Sequence, residues 1–336
     1  SMPMLKMLGT PESIIQWCAD YLNIYFWGIV GFFFYNMLSG VLRGLGDSFS
    51  ALGFLLLAAA LNVVLDIYFV GSLGMGVAGA AIATGISKFI SMIILLMPYY
   101  QRKCIIDIKP KYFTPKKALY AEIARMGIPT MLRTSLMSIS TITINRTAAT
   151  FGDAALAAIS VANKSLRFVG SAVMGFGQGF QPIAGFCWGA KKYKRVKKAF
   201  FMTSAIGIGL CATLGSFLFI FAQQAITIFS SELDVLDIGM LLIRSQCVVL
   251  PMHVWVMIAT GLFQALGKPF QAGFLGLCRQ LFSLLPCVII MTHFWGLTGL
   301  SLAQAASDVV SFTFALIMVI PMMKELSRLA DVEGID

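Results

Sequence analysis

The sequence predicts an all-α membrane protein, a polytopic helical bundle. Three observations carry that prediction. Of the 336 residues, 58% are hydrophobic and only 12% charged, with a mean hydropathy of +0.85, whereas a soluble domain carries about 25% charged residues. Six stretches (21–42, 49–70, 77–97, 199–221, 241–262 and 270–291) reach the roughly 20 apolar residues that cross a bilayer as a helix. No run shows the alternation, about ten residues long, of a transmembrane β-strand. In lipid each backbone N–H and C=O must find its partner internally, so apolar runs of this length are helices.

Nine spans follow along the chain, at 14–42, 48–70, 76–98, 119–149, 154–187, 197–224, 235–264, 269–292 and 297–323. The fourth and fifth are the most polar, with Arg133, Asn145, Arg146, Lys164 and Arg167, and Gly152-Asp153 is the only turn signal between them. Basic residues fall after odd-numbered spans: Arg43; then Arg102, Lys103, Lys109, Lys111, Lys116 and Lys117; then Lys191, Lys192, Lys194, Arg195, Lys197 and Lys198; then Lys268; then Lys324 and Arg328. The intervening loops, 71–76, 151–154, 230–237 and 293–296, are short or acidic. The bias places the C-terminus in the cytoplasm and the observed N-terminus outside.

The chain also repeats itself. Gly40-Val41-Leu42-Arg43-Gly44-Leu45-Gly46-Asp47 lies on Gly261-Leu262-Phe263-Gln264-Ala265-Leu266-Gly267-Lys268. One residue is lost downstream, after which Gly76-Val77-Ala78-Gly79 falls on Gly296-Leu297-Thr298-Gly299 and Ala83 on Ala303. Spans one to three therefore resemble spans seven to nine, a parallel repeat about an axis along the membrane normal. Three spans precede the second copy and none the first, and the chain opens on Ser1. The expectation is a bundle of two pseudo-symmetric lobes with nine of twelve helices present, three N-terminal ones being absent. Residues 1–100 are the remainder of the N-terminal lobe and 101–118 a basic cytoplasmic linker. Residues 119–326 form a six-helix C-terminal lobe and 327–336 a cytoplasmic tail.

Composition excludes several classes. The net charge of +10 sits in loops and is the ordinary positive-inside pattern, which argues against a nucleic-acid partner. Cys18, Cys104, Cys187, Cys211, Cys247, Cys278 and Cys287 form no CxxC pair and mostly fall inside spans, where they read as small apolar packing residues. No phosphate-binding loop, HExxH or Ser/His/Asp set is present, so the chain does not read as an enzyme and implies no cofactor.

Asp66 is the sharpest candidate, a carboxylate inside the apolar run 61–70. Such a group costs several kcal/mol unless paired, hydrated or protonated. Asn62 lies one helical turn earlier on the same face, and the pair offers oxygens suited to sodium or a proton. The other reading is an Asp near a helix end reaching back to the surface.

Arg133, Asn145, Arg146, Gln178, Gln181 and His253 are the candidates for a polar substrate cavity. The arginines, glutamines and histidine have ordinary alternatives: arginines snorkelling to the interface, glutamines bridging helices, and a packed histidine beside Pro251. Pro129, Pro182, Pro251 and Pro286 permit bending within spans.

The motifs together resemble the multidrug and toxic compound extrusion (MATE) transporters. The matching blocks are Leu42-Arg43-Gly44-Leu45-Gly46-Asp47, Leu61-Asn62-Val63-Val64-Leu65-Asp66, and Gly76-Val77-Ala78-Gly79 through Thr84. They continue with Gly127-Ile128-Pro129-Thr130, Gly152-Asp153-Ala154-Ala155, Gly177-Gln178-Gly179-Phe180-Gln181-Pro182, Gly189-Ala190-Lys191 and Phe263-Gln264-Ala265-Leu266-Gly267-Lys268. The resemblance runs from about Leu8 to Leu326 and corresponds to helices four to twelve of a twelve-helix fold.

The resemblance implies an ion-coupled antiporter in the cell membrane, monomeric, exporting small organic compounds by alternating access, with sodium or a proton as coupling ion. In some members an Asn-xxx-Asp pair, a Thr on the next helix and an Asn on the previous one bind the cation. Asn62, Asp66, Thr84 and Asn36 match those positions, and a sodium ion at Asp66 is the only metal implied. The resemblance further implies coupling acids in the C-terminal lobe for other members, yet stretches 131–140 and 250–260 hold no Asp or Glu. A lipid-linked oligosaccharide or polyisoprenoid flippase of the same superfamily is the alternative, with Arg133, Arg146 and Arg167 meeting pyrophosphate.

Overall fold

The computed structural model describes residues 2–7, 12–100, 114–228 and 233–332. Arg102, Lys103, Lys109, Lys111 and Cys104 lie outside the described residues. Among those described, the regular elements are helices, with no strand. Nine longer helices carry the fold: α1 Glu12–Gly44, α2 Ser48–Asp66, α3 Gly76–Tyr100, α4 Lys117–Ala149, α5 Asp153–Gly189, α6 Tyr193–Ile220, α7 Leu233–Ala265, α8 Pro269–Leu277 and α9 Leu285–Val332. Two π-helical segments extend this frame, Ile67–Ser72 after α2 and Cys278–Leu284 between α8 and α9.

Six helical runs are long and apolar enough to cross a membrane. The last of them, 63 residues from Pro269 to Asp331, is broken at Gly296, whose φ of 56° and ψ of −132° are not helical. Glycine alone reaches such a φ cheaply. Beyond it the chain folds back, so that Arg279 meets Asp308 and Ser283 meets Ser311. That run therefore contains the eighth and ninth spans. The more polar α4 and α5 have 33 and 37 residues, long enough for the fourth and fifth. The ninth helix continues to Val332, into the segment read as a tail.

The chain divides into two compact units, Ser1–Thr114 and Pro115–Asp336. In the first, α1 packs along α3, and α2 packs on α3. The approach is close because Gly28 faces Gly85 and Gly31 faces Phe89. A Cβ on either Gly28 or Gly31 would come within 3.0 Å of a backbone Cα. Small residues are what allow helices this close where no hydrophobic effect drives them together. Tyr35, Leu38, Leu42, Ala51, Ala58, Leu95 and Tyr99 form the buried core, and the hydroxyl of Tyr99 donates to the Leu38 carbonyl at 3.0 Å.

In the second unit α7 is the central helix, packed by α5, α6, α8 and α9. Two apolar clusters fill the unit. Along α8 with the π-helical segment after it, and along α9, the change from one cluster to the other falls around Arg279 and Asp308: Leu275 and Ala315 belong to one, Leu284 and Ala303 to the other. Large apolar side chains remain exposed in both units, Trp27 at 90% and Phe168 at 79% among them. On a water-soluble surface that would be a liability, whereas lipid tails accept it.

The repeat is visible atom by atom. After α1, Leu45, Gly46 and Asp47 donate to the carbonyls of Val41, Arg43 and Leu42; after α7, Leu266, Gly267 and Lys268 donate to those of Leu262, Gln264 and Phe263. In α3 the hydroxyls of Ser87 and Ser91 donate to the Thr84 and Ser87 carbonyls. In α9 those of Ser307 and Ser311 donate to the Gln304 and Ser307 carbonyls. In this register Lys88 takes the place of Asp308.

Candidate functional site

The first unit brings three of the four expected cation ligands into one neighbourhood. Asn62 and Asp66 sit on α2 at i and i+4, the spacing that stacks side chains on one face. Thr84 approaches from α3, and the Nδ2 of Asn62 donates to its Oγ1 at 3.5 Å. Thr84 Oγ1 donates its own hydrogen to the Ala80 carbonyl at 3.0 Å, which leaves its lone pairs toward Asn62. Asp66 ends the α-helical part of the span, where the backbone passes into the π-helical segment Ile67–Ser72. Such insertions recur at functional sites because they re-aim the side chains around them. The Oδ1 of Asp66 is buried without a hydrogen-bond partner, a costly state for a polar atom in a membrane span. Asn36, the fourth expected member, is exposed, and its Nδ2 donates to the Phe32 carbonyl at 2.7 Å.

One turn beyond Thr84, the half-buried Lys88 holds its Nζ 4.7 Å from the centre of the Tyr35 ring. Sequence reasoning passed over this lysine. The available signal was a single charge inside the apolar run of the third span.

The cavity candidates of the second unit separate. The Nε2 of Gln181 on α5 donates to the Oε1 of Gln264 on α7 at 3.0 Å, so these two glutamines bridge helices. Gln178 is half-buried on α5; Asn145 and Arg146 are exposed near the end of α4. Arg133 lines a small crevice with Pro129, Gln264 and Gly273. Its Nε is buried without a hydrogen-bond partner, and its aliphatic stem presses on Gly276, where a Cβ would meet Arg133 Cδ. A larger recess, about 740 Å³, opens along α4 past Leu119, Glu122, Met126, Thr130 and Thr134.

His253 is neither loose nor merely packed. Its Nδ1 lies 3.2 Å from Asp308 Oδ1, and the same oxygen accepts from Arg279 Nε at 2.8 Å. The sequence reading missed both partners. Neither lies in the acid-free stretches 131–140 and 250–260; the buried carboxylate Asp308 stands in the last span. Among the described residues no group of His, Cys, Asp and Glu could hold a metal ion as a cluster.

Comparison with known proteins agrees with this architecture. The MatE family profile matches residues 1–68 and 129–289. Multidrug export protein MepA of Staphylococcus saprophyticus is 22% identical over 315 residues, covering 93% of this chain and 69% of that protein. The probable multidrug resistance protein YpnP of Bacillus subtilis is 27% identical over 304 residues, covering 90% and 68%. Among solved structures, a MOP superfamily transporter from Pyrococcus furiosus superposes with a TM-score of 0.91 at 22% identity, over 97% of this chain and 74% of that one. An outward-facing multidrug resistance MATE transporter gives 0.90 at 22% identity, with the same coverage. The family match, together with the apolar spans, defines a multi-pass membrane transporter rather than an enzyme. The chain belongs to the MATE family. Its medium is the cell membrane, and its substrates are small molecules.

Proposed function

We propose that this chain is the transport unit of an ion-coupled antiporter that exports small organic compounds or drugs by alternating access. The observation that carries the reading is the buried, unpartnered oxygen of Asp66 beside the interhelical contact of Asn62 with Thr84. In this reading Asp66, Asn62 and Thr84 bind a proton or sodium ion entering from outside, and Asn36 joins them by turning its amide away from Phe32. Binding drives export only if the ion holds the two access states unequally. A carboxylate one helical turn from the α2–α3 contact of Asn62 with Thr84 meets that condition when a shift of those helices changes its surroundings. In the same reading the C-terminus lies in the cytoplasm, which the basic loops after odd-numbered spans support, and the protein works as a monomer.

A second reading rests on Arg133. Its buried, unpartnered Nε, within electrostatic reach of the Arg279 guanidinium, would suit an anionic head group such as a lipid-linked pyrophosphate. Reconstituted vesicles separate the two. The export reading expects efflux of an organic-cation dye that collapses when the ion gradient is abolished. Dye efflux that is absent, alongside gradient-independent movement of a polyisoprenyl pyrophosphate, would favour the flippase.

A further inference from the structure

The second unit contains a charge cluster that the Asp66 reading does not use. Asp308 is 1% exposed in the middle of α9. Its Oδ1 accepts from Arg279 Nε and from His253 Nδ1, at 2.8 and 3.2 Å. Its Oδ2 is buried without a partner. Three segments of the fold, α7, the π-helical segment after α8, and α9, each supply one member. The cluster lies where one apolar core gives way to the other along α8 with the π-helical segment after it, and along α9, with the Ser283–Ser311 contact beside it. It is a polar layer within the membrane-spanning part of the chain, where ionisable groups are costly and accordingly serve a purpose.

The chemistry of the contact assigns the histidine tautomer. An ionised carboxylate can only accept, so Nδ1 carries a hydrogen and donates it to Asp308. Nε2 then keeps a lone pair, on a ring whose side chain is 29% exposed while its partner is buried. We propose that His253, held by Asp308, is a proton-binding site of the six-helix unit, separate from Asp66. The proton comes from water and adds to Nε2, and the Nδ1–H bond to Asp308 is retained. With Asp308 negative and Arg279 positive throughout, the cluster passes from neutral to one positive charge.

The other charged groups around His253 act on it unevenly. Arg279 opposes the added charge, as does Arg133 behind it on α4, within electrostatic reach of Arg279. On α5, Lys164 and Arg167 are exposed. On α6 the lysines and the arginine stand in the first turns, far along the helix from its contact with Val254 at Gly207. Arg244, on α7 itself, lies over the Phe219 ring at 5.5 Å. Lys268 pairs with Glu325 at 2.8 Å. Asp308 is the charge in direct contact that favours the imidazolium.

The chain has two histidines, which makes the test clean. Nitrogen-15 histidine spectra of the purified chain in lipid nanodiscs show two rings, and His293→Gln assigns them. The His253 signal should move from its neutral to its imidazolium position as the sample is acidified across the pH range in which the protein stays folded. Asp308→Asn should move that passage to lower pH by about one unit or more, a tenfold loss of proton affinity. Arg279→Gln should move it to higher pH. A signal that stays at its neutral position over the whole range, or a passage that neither variant moves, overturns the proposal. The wild-type titration decides even if Asp308→Asn does not fold. Asp66→Asn should leave the His253 titration in place, so failure of the Asp66 reading and failure of this one are distinguishable.

Discussion

Asn62 and Thr84 meet across two helices, the amide of one donating to the hydroxyl of the other at 3.5 Å. That bond ties α2 to α3 one helical turn from Asp66, so it sets where the carboxylate's neighbours stand. Thr84→Ala removes an oxygen from the site while leaving the Ala80 carbonyl in its helix. A ligand bond to a charged group contributes about 1.5–3 kcal/mol. The ion concentration for half-maximal transport should therefore rise at least about tenfold, with substrate affinity measured without ions unchanged. Ion-dependence curves of efflux check it.

Lys191 carries a left-handed backbone, φ 56°, in the turn after α5. There Ala190, Lys191 and Lys192 donate to the Phe186, Trp188 and Cys187 carbonyls. The equivalent turns after α1 and α7 place Gly46 and Gly267 at positive φ. A lysine in this conformation costs about 1 kcal/mol. Lys191→Gly should raise the thermal midpoint in detergent by a few degrees without changing transport. An unchanged or lower midpoint would contradict this reading of the turn.

Gly31 sits where a Cβ would approach Phe89 Cα to 3.0 Å. Gly31→Val forces α1 and α3 apart, and overpacking of this kind costs roughly 1–3 kcal/mol. The expected outcome is a lower thermal midpoint. By contrast, Gly40→Ala, with open space around the added methyl, should be neutral.

Asp47 caps α2: its Oδ1 accepts from the Ser50 backbone N–H at 3.0 Å. That hydrogen bond holds its carboxyl below the usual carboxylate range. A group whose folded value is depressed stabilises above its unfolded pKa, about 3.9 for Asp, and the stabilisation is lost as pH falls through the folded value. Removing the cap costs about 1 kcal/mol in typical helices, less for a side chain this exposed to solvent. The stability difference between wild type and Asp47→Ala should therefore shrink as pH drops below about 4, measured by thermal unfolding.

Much of this architecture was legible in the sequence. Apolar length located most of the spans, though not the polar fourth and fifth, because lipid leaves the backbone no other partner. The glycine-marked turns at Gly46 and Gly267 revealed the repeat. The period of a helix brought Asn62 and Asp66 onto one face. Side-chain partnerships were harder. Gln181 and Gln264 had equal claims to substrate and to each other until their helices were placed side by side. Arg279 and Asp308 hid inside apolar runs, separated in sequence by the fold-back at Gly296, and only that turn brings them together. A signal existed: the repeat register sets Lys88 against Asp308, two opposite charges flanked by the same serines, Ser87 with Ser91 and Ser307 with Ser311. Single charges at matched depth in both copies are too costly to be idle.

The central claim is that Asp66 couples ion movement to export. Proteoliposomes carrying either wild type or Asp66→Asn, loaded with an organic-cation dye and given an inward proton or sodium gradient, test it most directly. Asp66→Asn should lose gradient-driven efflux while still binding the dye. Gradient-driven efflux at the wild-type rate in Asp66→Asn would contradict it.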